Sequence, residues 1–190
     1  SAANAIAAYQ PKGAASLAVS YTNLANPRTH DAAPGVAPTF DATNGWTFNG
    51  ATQYLTTGVV HSSSDMSLII RFSGGSGTGQ LFGTRSSTAS SGLHIHPDFG
   101  GSIYFRNAGN YNQATPVASG VLAIAGKTAY INGSPVGGTI DNSSVVVAVP
   151  IFIGATNNNG LEPINFYPCN TQAVAIYNTT LTAGEVAAAS

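Results

Sequence analysis

Short apolar runs broken by turn residues fill the chain from about Thr39 onward. The runs are rich in Val, Ile, Phe, Tyr and Thr, and the breaks are rich in Gly, Asn, Ser and Pro. This pattern is typical of β-strands joined by tight turns, and helical periodicity is nearly absent. The predicted strands, enough for two sheets, are Gly45 to Asn49, Gln53 to Thr57, Met66 to Phe72, Gln80 to Thr84, Gly92 to His96, Ser102 to Arg106, Val121 to Ala125, Thr128 to Asn132, Val145 to Val149, Ile151 to Gly154 and Ala173 to Tyr177.

Local signals refine this pattern. Asn132-Gly133 predicts a hairpin, because both residues readily adopt the positive φ angles of a tight primed turn. Short helices are predicted at Ala14 to Ser20 and after Thr182, which forms a capping box with Glu185 three residues later. No repeat and no long linker divides the chain. Residues 1–190 are therefore predicted to form one domain, cut from a longer chain.

Composition narrows the range of partners. Charged residues make up 7% of the 190 residues, against roughly 25% in an average soluble domain, and the net charge is -1. The few Lys and Arg residues are scattered, so we expect no binding to nucleic acid. No apolar run approaches the roughly 20 residues of a membrane helix, so we expect no membrane insertion. Cys169 is the only cysteine, which excludes a disulfide within these residues and a thiolate cluster for zinc.

Three ordered segments carry a family resemblance: Gly45 to Leu55, Lys127 to Gly137, and Ile151 to Ala155 followed by Ala173 to Val186. The first resembles an aromatic-x-Phe-x-Gly strand followed by a Tyr-Leu strand, and the second resembles a Tyr-x-x-Gly hairpin. The third resembles the closing strands and terminal helix. Together they are similar to the laminin-G-like jelly rolls of the concanavalin A-like superfamily. The resemblance implies an all-β sandwich of two antiparallel jelly-roll sheets with one or two short peripheral helices.

The resemblance implies several functions, since the family includes lectins, carbohydrate-binding modules, virion fibre domains and some hydrolases. In its details the chain is similar to modules appended to phage tail proteins or to secreted proteins that recognise surfaces. We therefore expect a non-catalytic module of a larger extracellular or virion protein, with a glycan or cell-surface receptor as its partner. The alternative is a structural fibre or capsid-decoration module, in which strands of low charge pair between protomers of a homo-oligomer.

The ligand site is predicted where aromatic and amide side chains cluster, because sugars are held by aromatic faces together with amides and hydroxyls. A segment predicted to be a loop carries Asn107, Tyr111 and Gln113, and a second predicted loop carries Asn157 and Asn158. We expect these five residues to border a glycan site. Ordinary turn chemistry is the competing explanation for the asparagines of the second loop.

Two enzymatic alternatives follow from the same fold family. Glycoside hydrolysis needs two facing carboxyl groups, but none of the seven Asp and Glu residues lies in the Glu-x-Asp-x-x-Glu signature of the laminarinase-like hydrolases. A polysaccharide lyase is suggested because Ile103 to Gln113 resembles a strand of jelly-roll alginate lyases. Its candidates for proton transfer and carboxylate neutralisation are His96, Tyr111, Arg106 and Gln113. The Arg-x-Glu-x-Arg strand of those lyases is missing, so the chain is expected not to be an enzyme.

Residues able to bind a metal are sparse. His94 and His96 share one face of a predicted strand, but no third His or Cys stands near them in the sequence, so no zinc site is expected. Laminin-G-like domains often bind calcium through carboxylate, amide and carbonyl oxygens, and this resemblance makes Asp98 and Asp141 weak calcium candidates. We expect no cofactor other than, at most, one weakly bound calcium ion.

Overall fold

Alternating inward and outward side chains build two sheets that pack face to face. The computed structural model describes residues 5–87, 91–141 and 145–190, with only the backbone described at 112–114. In this part of the chain the elements are β1 (Ala5–Tyr9), α1 (Leu17–Ser20), β2 (Ala33–Val36), β3 (Thr39–Asp41), β4 (Gly45–Asn49), β5 (Tyr54–Val60), β6 (Ser67–Ser73), β7 (Phe82–Arg85), β8 (Gly92–His96), β9 (Ser102–Asn107), β10 (Asn110–Ala114), β11 (Gly120–Ala125), β12 (Thr128–Ile131), β13 (Ser134–Pro135), β14 (Pro150–Ile153), β15 (Thr156–Asn158), β16 (Pro163–Ile164), β17 (Pro168–Tyr177) and α2 (Ala183–Ala189).

The first sheet has the strand order β13-β12-β11-β6-β17-β4-β3, with β1 also paired to β17. The second sheet has the order β10-β9-β8-β7-β14-β5-β2, with β15 and β16 joined to it through β7. Among the described strand pairs, β15 with β7 is the parallel one. The predicted all-β, two-sheet jelly-roll sandwich with short peripheral helices is therefore confirmed. No helix in the described part of the chain is long and apolar enough to cross a membrane.

The core between the sheets is formed by one side of each strand. In β8, Leu93 and Ile95 are fully buried in this core, and in β9 the same holds for Ile103 and Phe105. Each fully buried side chain of this size contributes about 1.5–3 kcal/mol of hydrophobic stabilisation. Because side chains alternate along a strand, the other residues of β8 and β9, apart from the buried Asn107, face away from the core.

The strongest local predictions are confirmed. Asn132 and Gly133 have φ angles of 50° and 78° and connect β12 to β13 in a tight hairpin. At the start of α2, the Thr182 side chain accepts a hydrogen bond from the backbone N–H of Glu185, and the Thr182 N–H donates to Glu185 Oε2 at 2.9 Å. Both features depend only on neighbouring residues, which is why sequence alone locates them.

The sequence prediction omits β1, β2, β3, β15 and β16, and two further segments contradict it. The segment from Asn107 to Gln113 is predicted to be a loop, but it holds the end of β9 and most of β10, which pair as a hairpin. Its polar composition is tolerated because β10 is an edge strand with one neighbour. The predicted strand from Val145 to Val149 is wrong: Val145 is 69% exposed, and the Val147 N–H donates to a side chain, His61 Nδ1, instead of a neighbouring strand.

Candidate functional site

The outward faces of β8 and β9 form the floor of a pocket of about 270 Å³. His94 and His96 come from β8, and Tyr104 and Arg106 come from β9. The antiparallel register places His94 opposite Arg106 and His96 opposite Tyr104, so the four side chains meet on one patch. Arg85, at the end of β7, also lines this pocket. We call the site formed by these five residues the basic pocket.

A glycine on the neighbouring strand makes room for this patch. Gly83 in β7 lies directly opposite His94 and has a φ of 145°. A Cβ at this position would lie 2.2 Å from the Leu93 carbonyl oxygen and 2.5 Å from the His94 Cβ. The close approach of β7 to β8 therefore requires a residue without a side chain.

Hydrogen bonds fix the orientation of both histidine rings. His94 Nδ1 lies 3.2 Å from the Thr84 carbonyl oxygen, and His96 Nδ1 lies 2.9 Å from the Thr78 carbonyl oxygen. Because a carbonyl oxygen can only accept, each Nδ1 carries the proton and donates it. The Gln80 amide Nε2 then donates to His96 Nε2 at 2.6 Å. His94 Nε2 has no hydrogen-bond partner among the described residues, which leaves its lone pair for a ligand.

Both imidazoles are neutral at neutral pH. Burial holds the pKa of His94 well below its usual value, and the nearby His96 lowers it further. Burial also lowers the pKa of His96, against backbone hydrogen bonds that raise it, and the charges of Arg106 and Arg85 add to the lowering. The positive charge of the basic pocket at neutral pH therefore belongs to the two guanidinium groups.

These guanidinium groups are a large share of the charge in this chain. Two of its six Lys and Arg residues line one pocket, and no Asp or Glu is among the described residues that line it. Burial lowers the pKa of Arg85, and the nearby charge of Arg106 lowers it further. Arg106 is 8% exposed, donates to the Tyr104 hydroxyl, and has its Cζ 5.2 Å from the centre of the Tyr104 ring. The pocket concentrates positive charge in a chain that carries little charge elsewhere.

An exposed aromatic ring stands beside the charged groups. Phe99, in the connection between β8 and β9, is 54% exposed. Its ring centre lies 4.9 Å from that of His96 and 5.8 Å from that of Tyr104. An aromatic face next to hydrogen-bond donors can hold a sugar ring, because the face packs on C–H groups while the donors meet ring oxygens and hydroxyls.

The chemistry open to this pocket follows from its groups. Arg85, Arg106 and Tyr104 supply donors, and His94 Nε2 supplies an acceptor. Gln80 Oε1 is buried without a hydrogen-bond partner among the described residues. The set can therefore bind a small ligand that has both acceptors and hydroxyl donors. The described residues that line it include no pair of carboxyl groups of the kind used in glycoside hydrolysis.

Asn107, one of the predicted ligand residues, lies inside the protein and is fully buried. Its Nδ2 donates to the carbonyl oxygens of Ser64 and Gly126, each at 2.8 Å, and its Oδ1 lies 3.2 Å from His61 Nε2. The amide therefore joins backbone segments to a buried histidine. These structural contacts account for an asparagine at position 107 without any role in ligand binding.

None of the other predicted ligand residues is among the described residues that line the basic pocket. Tyr111 packs against the core, and its hydroxyl donates to a backbone carbonyl oxygen. Gln113 lies in β10 opposite Ile103, but its side chain lies outside the described residues. Asn157 is 2% exposed and bonded to backbone groups on both sides of its amide, while Asn158 is partly exposed at the end of β15. The predicted ligand role of these residues stays a prediction.

The basic pocket brings together two of the four candidate residues of the lyase hypothesis. These two, His96 and Arg106, both line it. Tyr111 pairs with Phe105, whose side chain faces the core, so the hydroxyl that meets Arg106 is that of Tyr104. The tyrosine of that hypothesis is therefore on the other face of the sheet.

Sequence reasoning missed Arg85 and Phe99 as binding residues, and it did not assign a ligand role to Tyr104. A usable signal existed for Tyr104. It stands two residues before Arg106, as His94 stands two residues before His96, so each pair shares a strand face. Two strands joined by a short connection usually form a hairpin, which would place the two pairs side by side. No comparable local signal existed for Arg85 or Phe99.

The weak calcium candidates make contacts within the protein. Asp98 Oδ1 accepts a hydrogen bond from the Gly101 N–H at 3.0 Å. Asp141 Oδ1 accepts from the Asn110 N–H at 3.2 Å, and Lys127 Nζ donates to the Asp141 carbonyl oxygen at 3.3 Å. Among the described residues no group of three His, Cys, Asp or Glu residues comes together. Calcium binding stays a prediction.

Several solved structures share this fold, although no protein-family model matches the chain and no curated protein matches it by sequence. Trypanosoma rangeli sialidase in complex with sialic acid matches with a TM-score of 0.63 at 16% identity, over 97% of this chain and 32% of that chain. A mutant of the same sialidase that displays trans-sialidase activity matches with a TM-score of 0.61 at 17% identity, over 98% and 32%. A structure of NanB plus Optactamide matches with a TM-score of 0.52 at 15% identity, over 75% and 26%. At these identities the likeness shows the fold.

These comparisons contradict one expectation from the sequence. The sequence predicts that the chain is not an enzyme, but solved structures that share its fold are sialidases, which are glycoside hydrolases. That expectation is wrong. The chain spans about a third of the length of the Trypanosoma rangeli sialidases it matches. No comparison identifies a laminin-G-like family, so that resemblance stays a prediction.

Proposed function

We propose that this chain is a carbohydrate-binding domain of a glycan-recognising or glycan-processing protein, and that it holds one sugar unit in the basic pocket. The observation that carries the proposal is the exposed face of Phe99 beside the donors of Tyr104 and Arg106. An aromatic platform with convergent polar groups is the usual composition of a sugar site.

The size of the pocket supports a single sugar unit. Its volume of about 270 Å³ is just below the range of roughly 300–1,000 Å³ found for ligand pockets. The ligand is therefore a terminal or branching unit of a glycan, with the rest of the chain directed to solvent. The fold supports a role in glycan chemistry, because sialidases contain this sandwich at low sequence identity.

The finer parts of the proposal concern family and location. We propose a laminin-G-like domain that acts outside the cell or on a virion surface and meets a glycan or a glycosylated receptor there. The three ordered segments that support this family lie at β4 and β5, at β12 and β13, and at β14, β17 and α2. Self-association through an edge strand belongs to the same proposal, and the hydrodynamic mass of the purified domain tests it.

The experiment is a glycan array probed with the purified domain, once with calcium and once with a chelator. Binding in both conditions is expected if the basic pocket suffices, and binding with calcium alone would assign a metal to the site. The Phe99→Ala variant should lose binding, because the aromatic platform is removed. Leu161→Ala is the matched control, since Leu161 is a 63% exposed apolar residue that does not line the pocket.

Other outcomes of the same experiment would contradict the proposal. A blank array in both conditions, with a folded protein by circular dichroism, would refute carbohydrate binding. Retention of the parent's binding by Phe99→Ala would show that the sugar is held elsewhere. Loss of binding by Leu161→Ala as well as by Phe99→Ala would point to a general loss of structure and not to the pocket.

A further inference from the structure

The charge of the basic pocket restricts what kind of sugar can bind. Arg85 and Arg106 both line the basic pocket, and besides burial the charge of Arg106 lowers the pKa of Arg85. Arg106 is nearly buried, and no acidic side chain is among the described residues that line the site. Two guanidinium groups that face one cavity repel each other, and an anion between them removes that repulsion. A neutral sugar would leave the repulsion in place.

The acceptors of the pocket impose a second condition on the ligand. His94 Nδ1 donates to the backbone, so its Nε2 can only accept a hydrogen bond. Gln80 Oε1 is a further acceptor, buried without a partner among the described residues. These groups need hydroxyl or amide donors on the ligand. An inorganic anion such as sulfate has none, whereas an acidic sugar combines donors and a negative group.

Resting on the proposed function, we infer that the sugar unit in the basic pocket carries a carboxylate. Arg85 and Arg106 hold the carboxylate, His94 Nε2 accepts a hydrogen bond from a hydroxyl of the same unit, and Phe99 packs against the ring. The planar fork of a guanidinium group matches a carboxylate in geometry as well as in charge. The ligand class is therefore an acidic saccharide, such as a sialic acid or a uronic acid.

The test compares each acid with its own methyl ester. Calorimetry is done with the methyl glycosides of N-acetylneuraminic acid and glucuronic acid, and then with the methyl ester of each. Esterification removes the charge and keeps every ring hydroxyl. At least one acid should bind about tenfold more tightly than its ester, which is the weight of one charge-assisted hydrogen bond. Raising the salt concentration should weaken binding of the acid and have little effect on the ester.

Two variants separate the pocket from general electrostatics. Arg85→Gln should abolish the difference between acid and ester. Arg71→Gln removes the same charge from an exposed position on the other sheet, so it should keep the difference. Both variants are checked for folding by circular dichroism. A histidine side-chain NMR spectrum supplies a second readout, because the His94 Nε2 signal should shift when the acid binds.

The outcomes distinguish this inference from the proposed function. Equal affinity for acid and ester overturns the carboxylate assignment but leaves carbohydrate binding in place. No binding of any acidic or neutral sugar overturns the proposed function itself. Displacement of the acid by an equal concentration of sulfate would show that the pocket responds to charge alone, which overturns the role of His94 as a hydroxyl acceptor. A preference for one acid over the other supports the inference and identifies the sugar class.

Discussion

Acidification should destabilise this protein through His61, a fully buried side chain. Its Nε2 lies 3.2 Å from Asn107 Oδ1, and its Nδ1 lies 3.4 Å from the Val147 backbone nitrogen and 3.4 Å from Thr84 Oγ1. A backbone N–H can only donate, so Nδ1 is the unprotonated nitrogen and Nε2 donates to Asn107. The neutral ring is thus hydrogen bonded on both sides.

Protonation of this ring would bury a charge and place a hydrogen on Nδ1 against the Val147 N–H. Burial lowers the pKa of His61 to about 4. The hydrogen bond to Asn107 raises this pKa, and the charge of Lys127 lowers it. In the unfolded chain the imidazole keeps its ordinary pKa of 6.5. As the pH falls through 6.5, His61 is protonated in the unfolded chain, whereas in the folded protein it stays neutral until about pH 4. The free energy of unfolding therefore falls across this window and levels off below it.

The size of the effect follows from the two pKa values. One pH unit corresponds to roughly 1.36 kcal/mol, so the gap from 6.5 to about 4 corresponds to about 3 kcal/mol. That is a large share of the roughly 5–15 kcal/mol by which domains are usually stable.

Urea unfolding of the wild type and of His61→Gln at about pH 7.5 and about pH 4.5 isolates this contribution. Carboxylates and the other histidines titrate in both proteins and cancel in the comparison. The cost of the substitution should be roughly 2–3 kcal/mol smaller at the lower pH, because glutamine cannot be protonated. His30→Asn is the control, since His30 is partly exposed, lies outside this network and has a φ of 59° that asparagine tolerates.

A cost of His61→Gln that is the same at both pH values would refute the reasoning. So would an NMR titration in which His61 of the wild type takes up its proton near pH 6.5. The titration needs no variant, so it decides the matter even if His61→Gln fails to fold.

Three further predictions concern stability. Asn107→Ala should lower the free energy of unfolding by about 3 kcal/mol or more, since it leaves two backbone carbonyls and His61 without their partner; a loss below about 1 kcal/mol in urea would contradict this. Gly154→Ala should cost about 2 kcal/mol or more by thermal unfolding, because its Cβ would lie 2.4 Å from the Phe48 ring at a φ of 81°, and an unchanged melting temperature would be the contrary result. Thr182→Ala should cost about 1 kcal/mol by removing the cap of α2, and Thr182→Ser should restore most of it if the hydroxyl is the cause.

Elements with local causes were predictable from the sequence. The predicted strand from Gly45 to Asn49 is β4, and the predicted strand from Gly92 to His96 is β8, with the same bounds. Alternation of apolar residues specifies such strands, since one face must be buried. The tight hairpin and the capped terminal helix depend on residues that are neighbours in the chain. The sequence thus determined the all-β class, most of the strands, and the shared face of His94 and His96.

The site was decided by tertiary structure. Asn107 has the composition of a ligand residue, but strand pairing buries it, and no local pattern distinguishes a buried amide from an exposed one. The basic pocket exists because the register of β8 on β9 sets His94 against Arg106, and because β7 brings Arg85 to the same face. Strand register depends on the fit of all the neighbouring side chains at once, which spacing along a single chain does not encode. Several side chains of the pocket were therefore recognisable as candidates from the sequence, but only the fold brings them together.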